Sequence, residues 1–214
     1  MLENYVDVSD PDINLPNIHH LFQTAESIRK DNLPEWLQLT GLIHDLGKII
    51  YKKNISCDQD GTSIKEQWGI VGDTFIVGCR IPDSCVYPEY NNLAKVPEIE
   101  KTEMGIYYKN CGLEYCQCSF GHDEYLYHLL KYNECLLPEE AYYIIRYHSL
   151  YPWHTNGEYK NLMNEKDEKM LPWVQLFNKY DLYTKQDIDS NFNSLKIYYD
   201  KLIKKNFKND FIFF

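Results

Sequence analysis

His20, the adjacent pair His44-Asp45, His122, His148 and Asp181 fall on, or at the ends of, segments whose apolar residues repeat with a helical period. Burying an imidazole or a carboxylate is costly unless something compensates it. A fold that brings these segments together must therefore satisfy six polar side chains in one place. A metal cation is the simplest compensation. One ion does not need six protein ligands, and a centre that does chemistry keeps positions open. Two ions sharing a bridging carboxylate suit the inventory better.

At 214 residues the chain has the length of one domain, and we read 1–214 as a single one. Lys plus Arg number 22 and Asp plus Glu 32, a net charge of −10. Such a chain repels a phosphate backbone, and no basic stripe overrides this, so nucleic acid is not an expected partner. The start, MLENYVDVSDPD, is acidic and lacks the apolar core of a signal peptide. No run approaches the ~18 apolar residues of a membrane span. Phe211-Ile212-Phe213-Phe214 is too short for one and is expected to dock on the core or a partner. Seven cysteines, an odd number without a secretory signal, suggest reduced thiols in the cytoplasm. Cys111, Cys116 and Cys118 lack the spacing of a zinc knuckle and are expected to be plain thiols.

The segment 1–16 reads as irregular, broken by Asp10-Pro11 and Leu15-Pro16. A helix is expected over 17–30 with Asn17 as its cap, and another from Pro34 to near Gly47. The stretch 52–118 reads as mostly loop, with a β-like or irregular part punctuated by Gly69, Gly72 and Gly78. Helices resume at about 121–133, 138–149, 166–181 and 190–206. The fold class expected is mainly α, a helical bundle with a loop-rich middle section and little β.

HDLGK is the sharpest local motif, placing His44 and Asp45 at the C-terminal end of an apolar helix. Its plain alternative is a capping Asp beside a satisfied core His. In the preceding helix His19 and His20 compete, since adjacent helical positions diverge by about 100° and only one can face the site. His122 opens a helix in GHDEY, His148 closes AYYIIRYH, and Asp181 closes PWVQLFNKYD. Each alone reads as structural; together they read as a ligand set.

FQTAE, GLIHDLGK, VGDTF with VGC following, GHDEY, IRYHSLYPWHT and LPWVQLFNKYDLYTK, in that order, resemble the myo-inositol oxygenase family from about Asp7 to Lys205. The resemblance implies an HD-type helical fold holding two iron ions per chain. One iron would take His20, His44, Asp45 and Asp181. The other would take Asp45, His122 and His148, with Asp45 bridging. It also favours His20 over His19. It implies oxidation of myo-inositol by O2 to D-glucuronate and water, with a mixed-valent Fe(II)/Fe(III) centre. The substrate gives up four electrons and O2 accepts four, so no nicotinamide or flavin is needed. No glycine-rich dinucleotide fingerprint is visible either. Catalytic roles would fall to Lys48, Asp45 and His148. Substrate contacts would fall to Asp7, Ser9, Lys48, Gly72, Asp73, Ser149 and Lys185, with a solvated face as the plain reading of the two lysines. A soluble monomer is implied.

Two departures from the family pattern stand out. Family members usually carry a longer N-terminal segment that contributes an arginine, which has no counterpart here. The stretch 52–66 reads as a polar surface-loop insertion. Three other readings compete: an HD-domain phosphohydrolase acting on a nucleotide, a related di-iron oxygenase cleaving an organophosphonate, and a metal-stabilised binding module without turnover.

Overall fold

Helix α1, Asn17–Lys30, and helix α2, Glu35–Ile43, form the first hairpin of the fold. Asn32 turns the chain between them in the left-handed region, at φ 55°, a conformation that asparagine tolerates. Pro34 then sets the backbone for α2. The helices approach closely where Gly41 faces Ala25; a Cβ on Gly41 would lie 3.1 Å from the Ala25 backbone. The structure is a computed structural model that describes residues 16–52, 71–93, 95–183, 192–209 and 211–213.

Two expectations need correction. Asn17 does not cap α1: Pro16 holds the cap position, and no side chain bonds the free backbone groups there. The second helix stops at Ile43 rather than near Gly47. His44 and Asp45 form a turn, and Leu46–Lys48 a 3-10 turn, before the short α3, Ile49–Lys52. Gly47 explains the break. A Cβ there would fall 1.8 Å from the carbonyl oxygen of His122. Only a residue without a side chain lets this turn press on the segment that brings His122.

The stretch 71–118 carries three short 3-10 turns, and the only β pairing among the described residues is a single antiparallel bridge between Ile76 and Cys118. Little regular structure was expected there. Helices α4 (His122–Tyr132) and α5 (Glu139–Tyr147), the single turn α6 (Tyr151–His154), the long α7 (Glu165–Tyr183) and α8 (Phe192–Asn206) complete the order. The resulting architecture is mainly helical, in line with the sequence reading.

Isolated helices of this length are marginal in water, so packing holds them. The helix α5 packs on α4, α7 and α2, while α1 packs on α2 and α7. Ile144 and Ile145 of α5 are both fully buried and serve different clusters. Ile144 joins Ile28, Trp153, Val174 and Phe177. Ile145 joins Leu21, Leu39, Leu126 and Tyr199. Each such side chain contributes about 1.5–3 kcal/mol when fully buried. The chain end docks as expected: Asn133 and Phe213 exchange two hydrogen bonds, and Ile212 packs on the second cluster. No helix among the described residues is long and apolar enough to cross a membrane.

The six described cysteines are all free. Burial raises the Cys79 thiol to about 11 and pushes Cys116 and Cys118 higher still, so they stay protonated. Asp7, Ser9, Lys185 and all but the first residue of the 52–66 stretch lie outside the described residues.

Candidate metal centre

Asp45 is almost fully buried, and its two oxygens face different partners. On one side, Oδ2 lies 3.9 Å from His20 Nε2 and 3.7 Å from His44 Nε2. On the other, Oδ1 lies 3.3 Å from His122 Nε2 and 3.6 Å from His148 Nε2. Asp181 joins the first side, with Oδ1 2.9 Å from His20 Nε2 and 3.0 Å from His44 Nε2. Three helices and two turns thus deliver six side chains to one place. The described residues contain two potential ion-holding groups, His20–His44–Asp45 and Asp45–His122–His148, and Asp45 belongs to both. His19 is in neither group.

Tautomers follow from the partners of the far ring nitrogens. His44 Nδ1 lies 2.8 Å from the Gly41 carbonyl, and His148 Nδ1 lies 2.9 Å from that of Ile145. A carbonyl only accepts, so both Nδ1 atoms donate and, in the neutral ring, each Nε2 turns a lone pair inward. His44 Nε2 then faces the Asp181 carboxylate and sits 3.3 Å from His20 Nε2. His148 Nε2 likewise faces His122 Nε2 at 3.0 Å. Lone pairs and an anion converging in a buried space repel unless a cation lies among them. Neighbouring ligands bound at about 2.1 Å and at right angles would be roughly 3 Å apart, which matches these separations. Imidazole and carboxylate donors suit iron among other first-row metals. The residues therefore fit a metal pair.

The carboxyls are tuned to match. Burial alone would raise Asp45, but the Lys48 ammonium first, and the imidazoles around it after, hold it well below the usual carboxylate range. Burial likewise opposes ionisation of Asp181, and His44 and His20 overcome it. Burial would lower His20, yet the bond to Asp181 and the two carboxylate charges raise it. All three directions describe a site that concentrates negative charge among histidines.

Other expected residues surround the centre. Lys48 donates to Asp45 Oδ2 at 2.7 Å and is 8% exposed, which removes the solvated-face reading for this lysine. Ser149 is buried, with Oγ 3.4 Å from His122 Nε2. Its carbonyl accepts from the Thr74 amide at 3.0 Å, so the Gly72-Asp73 segment is tied to the Ser149 turn. Asp73 is exposed. Nearby protein still raises its carboxyl to about 6 against the pull of His122, although that exposure leaves it open to solvent screening.

The sequence reading missed three features. Asn17 is buried, and its amide donates to Asp45 Oδ2 at 3.1 Å. His154 is buried and lies 2.9 Å from the carbonyl oxygen of His148. Arg146 bonds both oxygens of Glu124, at 2.7 and 3.0 Å, and so ties α5 to α4 two residues from each of His148 and His122. A buried polar residue in an apolar helix was the available signal for Arg146; Asn17 had none, because asparagine at a helix start reads as a cap.

The family model described as myo-inositol oxygenase matches residues 1–213. The chain belongs to the myo-inositol oxygenase family. A protein named inositol oxygenase from Danio rerio is 48% identical over 209 residues, covering 95% of this chain and 71% of the relative. One from Dictyostelium discoideum is 46% identical over 215 residues, covering 98% of this chain and 71% of the relative. One from Homo sapiens is 44% identical over 210 residues, covering 96% of this chain and 70% of the relative.

Proposed function

We propose that this chain catalyses the ring-opening oxidation of myo-inositol by O2, giving D-glucuronate and water at a centre of two iron ions in mixed valence. Family membership supports the reaction. The observation that carries the centre is Asp45, with one oxygen toward His20 and His44 and the other toward His122 and His148. The first ion would be held by His20, His44, Asp45 and Asp181, and the second by Asp45, His122 and His148. When bound, the ions supply Lewis acidity and the electrons that activate O2.

The chain's own residues then bind and orient the polyol. The second group has fewer protein ligands, which leaves positions there for substrate hydroxyls. Ser149 Oγ, beside His122, offers a buried hydrogen bond to one of them. Lys48 places a cation where a hydroxyl losing its proton becomes an alkoxide, and steadies that charge. Asp73 and the Gly72 backbone, in the segment that Thr74 ties to Ser149, would supply further contacts. Asp7, Ser9 and Lys185 complete the proposed contacts. A polyol needs many directional bonds, and a site built to make them rejects analogues that lack them. Burial of His44, Asp45, His122 and His148 to 3% exposure or less keeps water from the reacting region. Of the products, the acid keeps one oxygen atom of O2 and the other leaves as water, so no further reductant is consumed.

We also read the chain as one HD-type domain and a cytoplasmic monomer. The support is the free cysteines and the acidic charge. The test is anaerobic loading with Fe(II), limited oxidation, and then parallel measurement of O2 uptake and glucuronate. One glucuronate per O2, lost in His122→Ala and Asp45→Ala, is expected. Phosphate release from nucleotides, or O2 uptake with a phosphonate but not with inositol, would overturn the assignment. Tight inositol binding without turnover would overturn it in favour of a binding module.

A further inference from the structure

Asn17 opens α1, three residues before His20, and is 3% exposed. An asparagine there ordinarily bonds free backbone groups or water. Its carbonyl end bonds no such backbone group: Oδ1 is buried with no hydrogen-bond partner among the described residues. The amide end is directed at Asp45, with Nδ2 donating to Oδ2 at 3.1 Å. The described residues meet only the amide's donor half, and that half is spent on the carboxylate that faces both histidine pairs. Burial of that kind is unfavourable unless the bond it secures matters.

Asp45 Oδ2 has a second donor, Lys48 Nζ, at 2.7 Å. The two donors differ in how they are held. Lys48 carries a mobile charge on a four-carbon stem. The Asn17 amide stands one carbon from a helix backbone. Under the proposed function Lys48 also serves a substrate hydroxyl, and a cation that turns to the substrate weakens its bond to Oδ2. Without a fixed donor, the carboxylate's orientation about its Cβ–Cγ bond would rest on the bound ions alone. We infer that Asn17 is a positioning residue for Asp45. Its amide fixes Oδ2 on the His20–His44 side, so Lys48 can serve the substrate while Oδ1 stays toward His122 and His148. The part assigned to Lys48 rests on the proposed function; the hold of Asn17 on Asp45 does not.

The test compares iron-loaded wild type with Asn17→Leu, Asn17→Asp and Asn17→Gln. Leu keeps the volume and removes the donor, Asp is isosteric and adds a charge, and Gln keeps a donor on a longer arm. Each is mixed anaerobically with a ferrous chelator, and iron release is followed alongside the electron paramagnetic resonance spectrum of the mixed-valent form. The Leu and Asp variants are expected to release iron about 10-fold faster, the range typical of residues that orient metal ligands. Their spectra should shift, kcat should fall by a similar factor with KM for inositol little changed, and Gln should recover part of each effect. Wild-type release rates and an unshifted spectrum in Asn17→Leu would overturn the inference. If that variant does not fold, Asn17→Asp decides by the same two readouts. A wild type that binds iron but consumes no inositol would overturn the proposed function while leaving the release comparison valid.

Discussion

Replacing Asp45 by asparagine keeps the side chain's size and removes its charge. In the metal-free protein that change takes the Asp45 charge away from the Lys48 ammonium, which is 10% exposed at its side chain and bonded to Asp45 at 2.7 Å. Removing one partner of a buried pair typically costs about 3–5 kcal/mol, because the other charge stays buried. Asp45→Asn should therefore lower the unfolding free energy of chelator-treated protein by about that amount, read from urea titration. It should also abolish stoichiometric binding of the second iron, read by metal analysis. The double variant Asp45→Asn, Lys48→Met should regain most of the stability and none of the iron. This separates the structural work of the carboxylate from its work as a ligand. The candidate ligands were legible in the sequence because imidazoles and carboxylates on apolar helical stretches are costly enough to demand a reason. Asn17 was not, since nothing local distinguishes an asparagine turned inward from one that caps.

At the scale of elements, two contacts hold the histidine-bearing segments in register. One is the approach of the Leu46–Lys48 turn to α4. A Cβ at Gly47 would meet the His122 carbonyl carbon at 2.7 Å and Leu126 Cβ at 3.0 Å, in addition to the carbonyl oxygen. Backbone cannot yield as a flexible side chain can, so Gly47→Ala must push the turn away and carry Asp45 with it. A destabilisation of about 3 kcal/mol is expected, at the upper end of ordinary overpacking. Iron content should fall, although no ligand has been touched. The other contact is the Arg146–Glu124 pair, both side chains under a tenth exposed. Arg146 also donates to the carbonyls of Glu114 and Cys116 and to the Tyr147 hydroxyl. Arg146→Met should cost about 3–5 kcal/mol by leaving Glu124 only its bond to the exposed His128 ring, and Glu124→Leu added to it should restore much of the loss. Arg146→Lys should not substitute, because an ammonium cannot reproduce the forked geometry. Helix spans were legible because Pro34, Pro138 and the apolar period mark them. The early stop of α2 was not, since it depends on a contact with His122 far along the chain. The segment 71–118 has no period to read, and its order comes from long-range bonds such as Thr74 to Ser149.

For the whole molecule, acid sensitivity should have a component that is not titration of the candidate metal ligands themselves. His154 is 3% exposed. Burial lowers its pKa to about 4, despite the favourable bond to the His148 carbonyl. Its neutral ring is fully used, with Nε2 donating to that carbonyl and Nδ1 accepting from the Thr155 hydroxyl at 3.0 Å. In the unfolded chain the ring has its ordinary pKa near 6.5. Above that value both states hold the ring neutral, and His154 adds no pH dependence. Between 6.5 and about 4 the unfolded state binds a proton that the folded state does not, so stability falls with pH. Below about 4 both states are protonated and the loss is complete, at roughly 3 kcal/mol. Acid would also strip a bound metal, so wild type alone cannot isolate this effect. His154→Gln can, because its amide still donates to the His148 carbonyl and does not titrate. The stability difference between wild type and His154→Gln should stay flat from pH 8 to 6.5. It should then move against wild type by up to about 3 kcal/mol as the pH approaches 4, with chelator present throughout. A difference that stays flat across the whole range would mean that His154 is charged in the folded protein. The turn carrying His148 and Ser149 would then be held by something other than a neutral imidazole.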